Sequence, residues 1–164
     1  MDKFLLLVFM LAAPFLNADL LHVDSSMSEL YQFKYETPDL KEIKIPENTK
    51  LIIVSFEKST GVLANEYLKK YEADYLMKHR AVFIADINKM PTIITKMFAL
   101  PKLRKYKHPI YLNYDEEFEQ SVPYKEDALT LIHVKNSKVY DISYALNVDR
   151  KSTRLNSQSP YDLV

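Results

Sequence analysis

Leu51-Ile52-Ile53-Val54-Ser55-Phe56 is a continuous apolar run, and Ala81-Val82-Phe83-Ile84-Ala85-Asp86-Ile87 is a second one. Runs of this kind, without polar alternation, mark strands covered on both faces, which requires helices above and below one sheet. Between them, Leu63, Tyr67, Leu68, Tyr71, Tyr75 and Leu76 recur at helical spacing, predicting a helix over 61–78. Pro91 sits where a first helical residue belongs, with Ile93, Ile94, Met97 and Phe98 following at helical period. Pro101 restarts or kinks that helix, which continues through Leu103 and Tyr106. Residues 109–114 read as a third strand. Leu129–Val134 and Lys138–Tyr144 read as a hairpin across Asn136-Ser137, asparagine tolerating the left-handed backbone such a turn needs.

Strand–helix–strand–helix–strand followed by a hairpin predicts a single α/β domain with a mixed sheet flanked by helices. Ahead of it, residues 19–50 form a polar lead-in with short strands, Tyr31, Phe33 and Tyr35 alternating at the strand period. Residues 1–18 read as a secretory signal. Lys3 precedes an apolar run from Phe4 to Phe15, shorter than the ~20 residues that span a bilayer, and Ala18 supplies a cleavage position. The expected mature chain starts at Asp19 and is periplasmic. At the other end, D-R-K-S-T-R-L-N-S from Asp149 resembles translated sequencing adapter, and Q-S-P-Y-D-L-V resembles the same adapter in another frame. Residues 149–164 are therefore read as a non-native tail, and 51–148 as the domain.

The chain has no cysteine among its 164 residues, so an exported domain of this size rests on its core alone. Without both ends, 22 basic residues become 18 and 22 acidic residues become 19, a formal charge of −1. That balance argues against nucleic acid as a partner. His22, His79, His108 and His133 show no paired ligand spacing, so no metal or cofactor is expected. His108 reads as a loop residue and His133 as a surface strand residue. Tyr111 and Tyr114 fall on opposite sides of one strand, so at least one should be exposed.

The run from Leu51 to Tyr144 resembles the thioredoxin-like superfamily, nearest its exported thiol oxidoreductase and peroxiredoxin branch, which inserts a strand such as 108–115 before the final hairpin. The resemblance implies a Cys-x-x-Cys opening the first helix, where exposed N–H groups and the helix dipole lower a thiol pKa. This chain reads Thr60-Gly61-Val62-Leu63 there. Gly61 is its only glycine, where average usage of ~7% predicts about eleven. Thr60 stands for the attacking cysteine and Leu63 for the resolving one, and neither can be oxidised reversibly. The resemblance also implies a cis-proline before the hairpin, where Glu126-Asp127-Ala128 stands instead.

Disulfide exchange is therefore excluded, and no catalytic residue is assigned. Glu57, Lys58, Ser59 and Thr60 bring a base, an amine and two hydroxyls to the helix start, but no motif places a third group to hold the base. Ser59 or Thr60 serves most simply as the N-cap. Lys58, Ser59, Thr60 and Gly61 form the candidate contact for a small anion or a protein. A second candidate is Lys102, Arg104 and Lys105 within the acid-free stretch 96–108. Its stripe could meet anionic headgroups or an acidic partner, or be neutralised by the acidic loop Asp115-Glu116-Glu117 and Glu119, with Phe98, Leu103 and Tyr106 facing the core. The leading expectation is a non-catalytic exported binding module. The alternatives are an enzyme using Lys58, Thr60 and Asp86, and an accessory protein docking a membrane complex through 96–108.

Overall fold

A computed structural model describes residues 20–146; residues 1–19, where a signal is expected, and 147–164, which include the expected non-native tail, lie outside the described residues. The elements run α1 (Ser28–Tyr31), β1 (Tyr35–Glu36), β2 (Glu42–Ile43), β3 (Leu51–Ser55), α2 (Lys58–Leu68), α3 (Tyr75–Lys78) and β4 (Ala81–Asp86). There follow α4 (Thr92–Ile94), a π-turn (Thr95–Ala99), α5 (Leu100–Leu103), β5 (Tyr111–Asn113), α6 (Glu116–Ser121), β6 (Ala128–Lys135) and β7 (Lys138–Leu146).

All seven strands form one sheet in the order β2-β1-β5-β4-β3-β6-β7. Strands β3, β4 and β5 are parallel, whereas β6 runs antiparallel to β3 and β7 antiparallel to β6. Because side chains alternate, each central strand serves two cores. Ile52 and Val54 pack with Leu30, Phe33, Tyr35 and Phe118 on one face. Phe83 and Ala85 join Ala64, Leu68, Leu76 and Leu100 on the other, with Leu51 and Ile53 packed against them. This double coverage explains why neither apolar run shows polar alternation.

Six described residues have positive φ, and two of them, Asn136 at 52° and Ser137 at 59°, are successive in the β6–β7 turn. Two successive left-handed residues give the twist that matches right-handed strands, so the hairpin closes as its sequence implies.

Three local expectations are corrected. Tyr31, Phe33 and Tyr35 do not share a strand: Tyr31 closes α1 and is exposed, while Tyr35 turns inward and its buried hydroxyl donates to the Leu30 carbonyl at 2.8 Å. The helix expected over 61–78 breaks after Leu68. Amides of Lys70 and Tyr71 reach back three residues to the carbonyls of Tyr67 and Leu68, tightening the chain into turns before α3. Tyr67, Tyr71 and Tyr75 nevertheless keep ring contact, with centroids 5.2 and 4.1 Å apart.

The third correction concerns 92–103. Ile93, Ile94, Met97 and Phe98 do not face the core; they are 69%, 44%, 64% and 64% exposed, and Thr95 and Leu100 are buried in their stead. Pro101 explains this. It has no N–H to give, and its ring displaces the carbonyl four residues back, that of Met97. The backbone answers by widening into the π-turn Thr95–Ala99. A five-residue turn sets Leu100 over Thr95 and rotates the apolar stripe outward.

Candidate functional site

Parallel strands bring their carboxyl ends to one edge, where open α/β sheets place their sites. Here Ser55, Asp86 and Asn113 end β3, β4 and β5 at that edge. The three turns that follow carry most of the polar chemistry.

The first turn opens α2. Its N-cap is Glu57, in extended backbone, and the Glu57 side chain makes no capping bond. Neither Ser59 nor Thr60 caps the helix, contrary to the simplest expectation. The Ser59 hydroxyl donates to Glu57 Oε2 at 3.1 Å, and the Thr60 hydroxyl donates to the Glu57 carbonyl at 3.1 Å. Thr60 is fully buried and shares a further bond of 3.0 Å with Ser55 Oγ. Gly61 has no positive φ. Its lack of a side chain is required by proximity instead, because a Cβ there would lie 3.1 Å from Ser55 Oγ. Lys58 alone of the four candidate residues is exposed, with Ser59 and Gly61 half-buried.

The loop before β6 folds against this turn. Glu57 Oε1 accepts from Tyr124 Oη at 2.6 Å and from the Asp127 amide at 3.0 Å. Asp127 adopts φ 57°, a left-handed conformation that aims its N–H at the carboxylate. Bonding to Glu57, ahead of burial, pushes the Tyr124 hydroxyl up to about 12. Glu57 was legible as a base at the helix start. Tyr124 and Asp127 were not, because no local spacing links them to it.

The second and third turns form a separate network. Asp86 accepts from the Asn88 amide at 3.1 Å and from Asn88 Nδ2 at 3.3 Å; Asn88 Nδ2 also donates to the Asp115 carbonyl. Burial pushes the Asp86 carboxyl up to about 6, opposed by the Asn88 amide and reinforced by Glu119. No direct hydrogen bond joins Asp86 to Thr60 among the described residues; Thr60 bonds to Ser55 and the Glu57 carbonyl, and Asp86 to Asn88.

Asp86 carries a pH prediction. A carboxyl whose folded pKa is raised favours the fold when protonated; that contribution is complete below about 3.8 and lost as pH rises through about 6. Asp86→Asn should therefore raise unfolding free energy by about 1–2 kcal/mol at pH 7.5, after discounting for partial exposure. No gain is expected at pH 4. Denaturant midpoints at both pH values provide the check, and an equal gain at pH 4 would contradict it.

Residues 115–119 are not the expected loop. Asp115 caps α6, accepting from the Glu117 amide at 3.0 Å. Its acids do not neutralise the basic stretch: Glu119 pairs with Lys89 at 2.6 Å, whereas Arg104 pairs with Asp39 at 3.0 Å and also donates to the Pro38 carbonyl. Lys102 and Lys105 are exposed. They line a cavity of about 530 Å³ with Glu66, Lys69, Met97, Phe98, Pro101 and Tyr106. Leu103 and Tyr106 pack against the core as expected, and Phe98 does not.

His108 lies in the loop before β5, as expected, and is buried there. Its Nε2 donates to Asn65 Oδ1 at 2.8 Å, and Asn65 Nδ2 donates to the Gly61 carbonyl at 2.8 Å. This chain of bonds ties the entry of β5 to the first turn of α2. Burial lowers the His108 pKa. Tyr111 is buried and Tyr114 is exposed, as alternation requires.

A β3-α2-β4 parallel unit, a further parallel strand outside β4, and a β6–β7 hairpin antiparallel to β3 settle the architecture. The fold is thioredoxin-like. The chain matches no family model and no curated protein. Among solved structures, it is similar to an uncharacterized thioredoxin-like protein from Porphyromonas gingivalis, with 14% identity over 70% of this chain and 78% of that one, TM-score 0.45. It is also similar to a peroxiredoxin-like protein from Aquifex aeolicus, with 11% identity over 76% and 77% of the two chains, TM-score 0.46. A third is a SCO1/SenC family lipoprotein from Bacillus anthracis, with 14% identity over 85% and 96%, TM-score 0.41. In this chain Thr60 and Leu63 stand where the resemblance places a redox pair, and no cysteine exists elsewhere to supply a thiolate.

Proposed function

We propose that this chain is an exported, non-catalytic interaction module on a thioredoxin-like scaffold, using recognition rather than thiol chemistry. The observation that carries the reading is the state of the first turn. Thr60 is buried, its hydroxyl is engaged, and Glu57 ties the turn to the loop facing it. A nucleophile needs an adjacent base and an open approach, and Thr60 has neither. The reading places a protein or small anionic partner on the outer surface of the turn, at exposed Lys58, rather than inside it. Export rests on the basic start and apolar run of residues 1–18.

A photo-crosslinking residue at position 58 tests the binding half. Discrete adducts should form in exporting cells from position 58 and be absent from position 141, an exposed site on the edge strand β7. Equal labelling from both positions, or none from 58, overturns it. Fractionation with N-terminal sequencing tests the export half independently: the expected product begins at Asp19, and an intact chain in the cytoplasm refutes export.

A further inference from the structure

We infer that the face formed by α4, the π-turn and α5 docks on a membrane surface rich in anionic lipid. The inference goes beyond the proposed interaction at Lys58 and uses different residues. Its first observation is the outward apolar stripe. Ile93, Ile94, Met97 and Phe98 are large, contiguous along the helical stretch, and mostly in solvent. A protein keeps such a patch exposed when something covers it.

The second observation is charge. Residues 88–114 contain no aspartate or glutamate. Lys96, Lys102 and Lys105 are exposed around the stripe, and none has an ion-pair partner among the described residues. Arg104, the one arginine here, is already held by Asp39 and the Pro38 carbonyl. Glu66 lines the same cavity as Lys102 and Lys105 but is engaged by Lys69 and Tyr106, so the exposed lysines favour an anionic occupant.

Residue types separate a bilayer from a protein partner. Protein interfaces are enriched in Arg, Met and aromatic residues and depleted in Lys, so the lysines, not the apolar side chains, separate the two. A lysine-flanked face of isoleucine, methionine and phenylalanine instead fits the headgroup boundary, where apolar side chains enter the acyl region and ammonium groups meet phosphates. No helix among the described residues is long and apolar enough to cross a membrane, so this face lies on the surface rather than spanning it. The π-turn is what makes the arrangement available. A regular α-helix would not set Thr95 and Leu100 together against the core, and the stripe would not turn outward.

The absence of cysteine makes the test local. Met97→Cys in the full chain accepts an environment-sensitive thiol fluorophore, and Asp141→Cys on β7 serves as control. With vesicles of phosphatidylcholine containing one-third phosphatidylglycerol, the label at position 97 should shift to the blue and be quenched by acyl-chain quenchers, with no change at position 141. Replacing Lys96, Lys102 and Lys105 together by Gln should weaken the response by about 100-fold, near fivefold per lysine. Ile93→Glu with Phe98→Glu should abolish it at unchanged thermal stability, since both side chains already face solvent.

Because the readout is at position 97, an apolar leader that attached the chain by itself would leave it unchanged. No shift with anionic vesicles overturns the inference. So does a shift in the absence of lipid that grows with protein concentration, which would assign the face to a second copy. An equal shift on neutral vesicles with the lysines replaced removes the anionic-lipid claim.

Discussion

Phe118→Ala should lower the unfolding free energy by about 3–5 kcal/mol, the range for deleting a fully buried phenylalanine. Phe118 has no solvent exposure and sits among three rings. Phe33 meets it edge-on at 5.2 Å, Tyr35 edge-on at 6.2 Å, and Phe56 at 5.9 Å. Each such pair adds ~0.5–1.5 kcal/mol beyond the area buried. Against a total stability of about 5–15 kcal/mol for a typical domain, the loss leaves little margin.

The damage should also be directional. Phe33 and Tyr35 belong to the lead-in, so Phe118 is the contact through which α6 clamps that segment to the sheet. The Leu21 amide donates to the Ser121 carbonyl at 2.8 Å at the end of the same helix. Hydrogen exchange at Leu21 and in α6 should accelerate more than exchange in β3 and β4. Phe118→Leu, which keeps most of the volume but loses the three ring pairs, should cost about 1.5–3 kcal/mol, less than the alanine variant. A uniform rise in exchange across the sheet, or a loss below 1 kcal/mol for the alanine variant, would show that α6 is not the clamp.

Phe118 also marks where sequence reasoning reaches its limit. It stands in Glu116-Glu117-Phe118-Glu119-Gln120, one apolar residue per helical turn among acids, a pattern that reads as a loop or a solvated helix. Its burial depends on rings from two distant segments. The strands Leu51–Ser55 and Ala81–Asp86 were legible for the opposite reason: their environment is apolar on both faces, so composition alone carries the signal. The β6–β7 turn was legible through Asn136, whose backbone preference is local.

Phe98 was expected to face the core and does not, because periodicity identifies an apolar face without saying which way it points. One proline four residues downstream of Met97 decided that. At the candidate site, Thr60 and Gly61 were found at the opening of α2 as expected, but their hydroxyl and backbone are consumed by packing on Ser55. The groups that close the turn, Tyr124 and Asp127, reach it only through tertiary folding.

Glu57→Ala should open that turn and destabilise the domain by about 2–3 kcal/mol. Glu57 accepts from Tyr124 Oη, the Asp127 amide and Ser59 Oγ. Hydrogen bonds to a charged group are worth ~1.5–3 kcal/mol each, reduced here because Tyr124 is 43% exposed and can bond to water. Three readouts separate the tie from a general loss of stability. The Asp127 amide should exchange faster while Leu131 in β6 does not. Tyr124, held up to about 12 chiefly by its bond to Glu57, should titrate closer to its ordinary value of 10. Glu57→Ala and Tyr124→Phe should not be additive, with a coupling of about 1 kcal/mol in a double-mutant cycle.

Asp127 sharpens the argument. It holds a left-handed backbone, which aspartate adopts more readily than most side chains, and its amide donates to the carboxylate in that pose. Once Glu57 is gone, the loop has less reason to stay in it and should relax away from α2, admitting water to Thr60. Unchanged exchange at Asp127 together with unchanged Tyr124 titration would mean the loop is held by its own backbone. The closed turn would then be a property of the β6 connection rather than a tie made by Glu57.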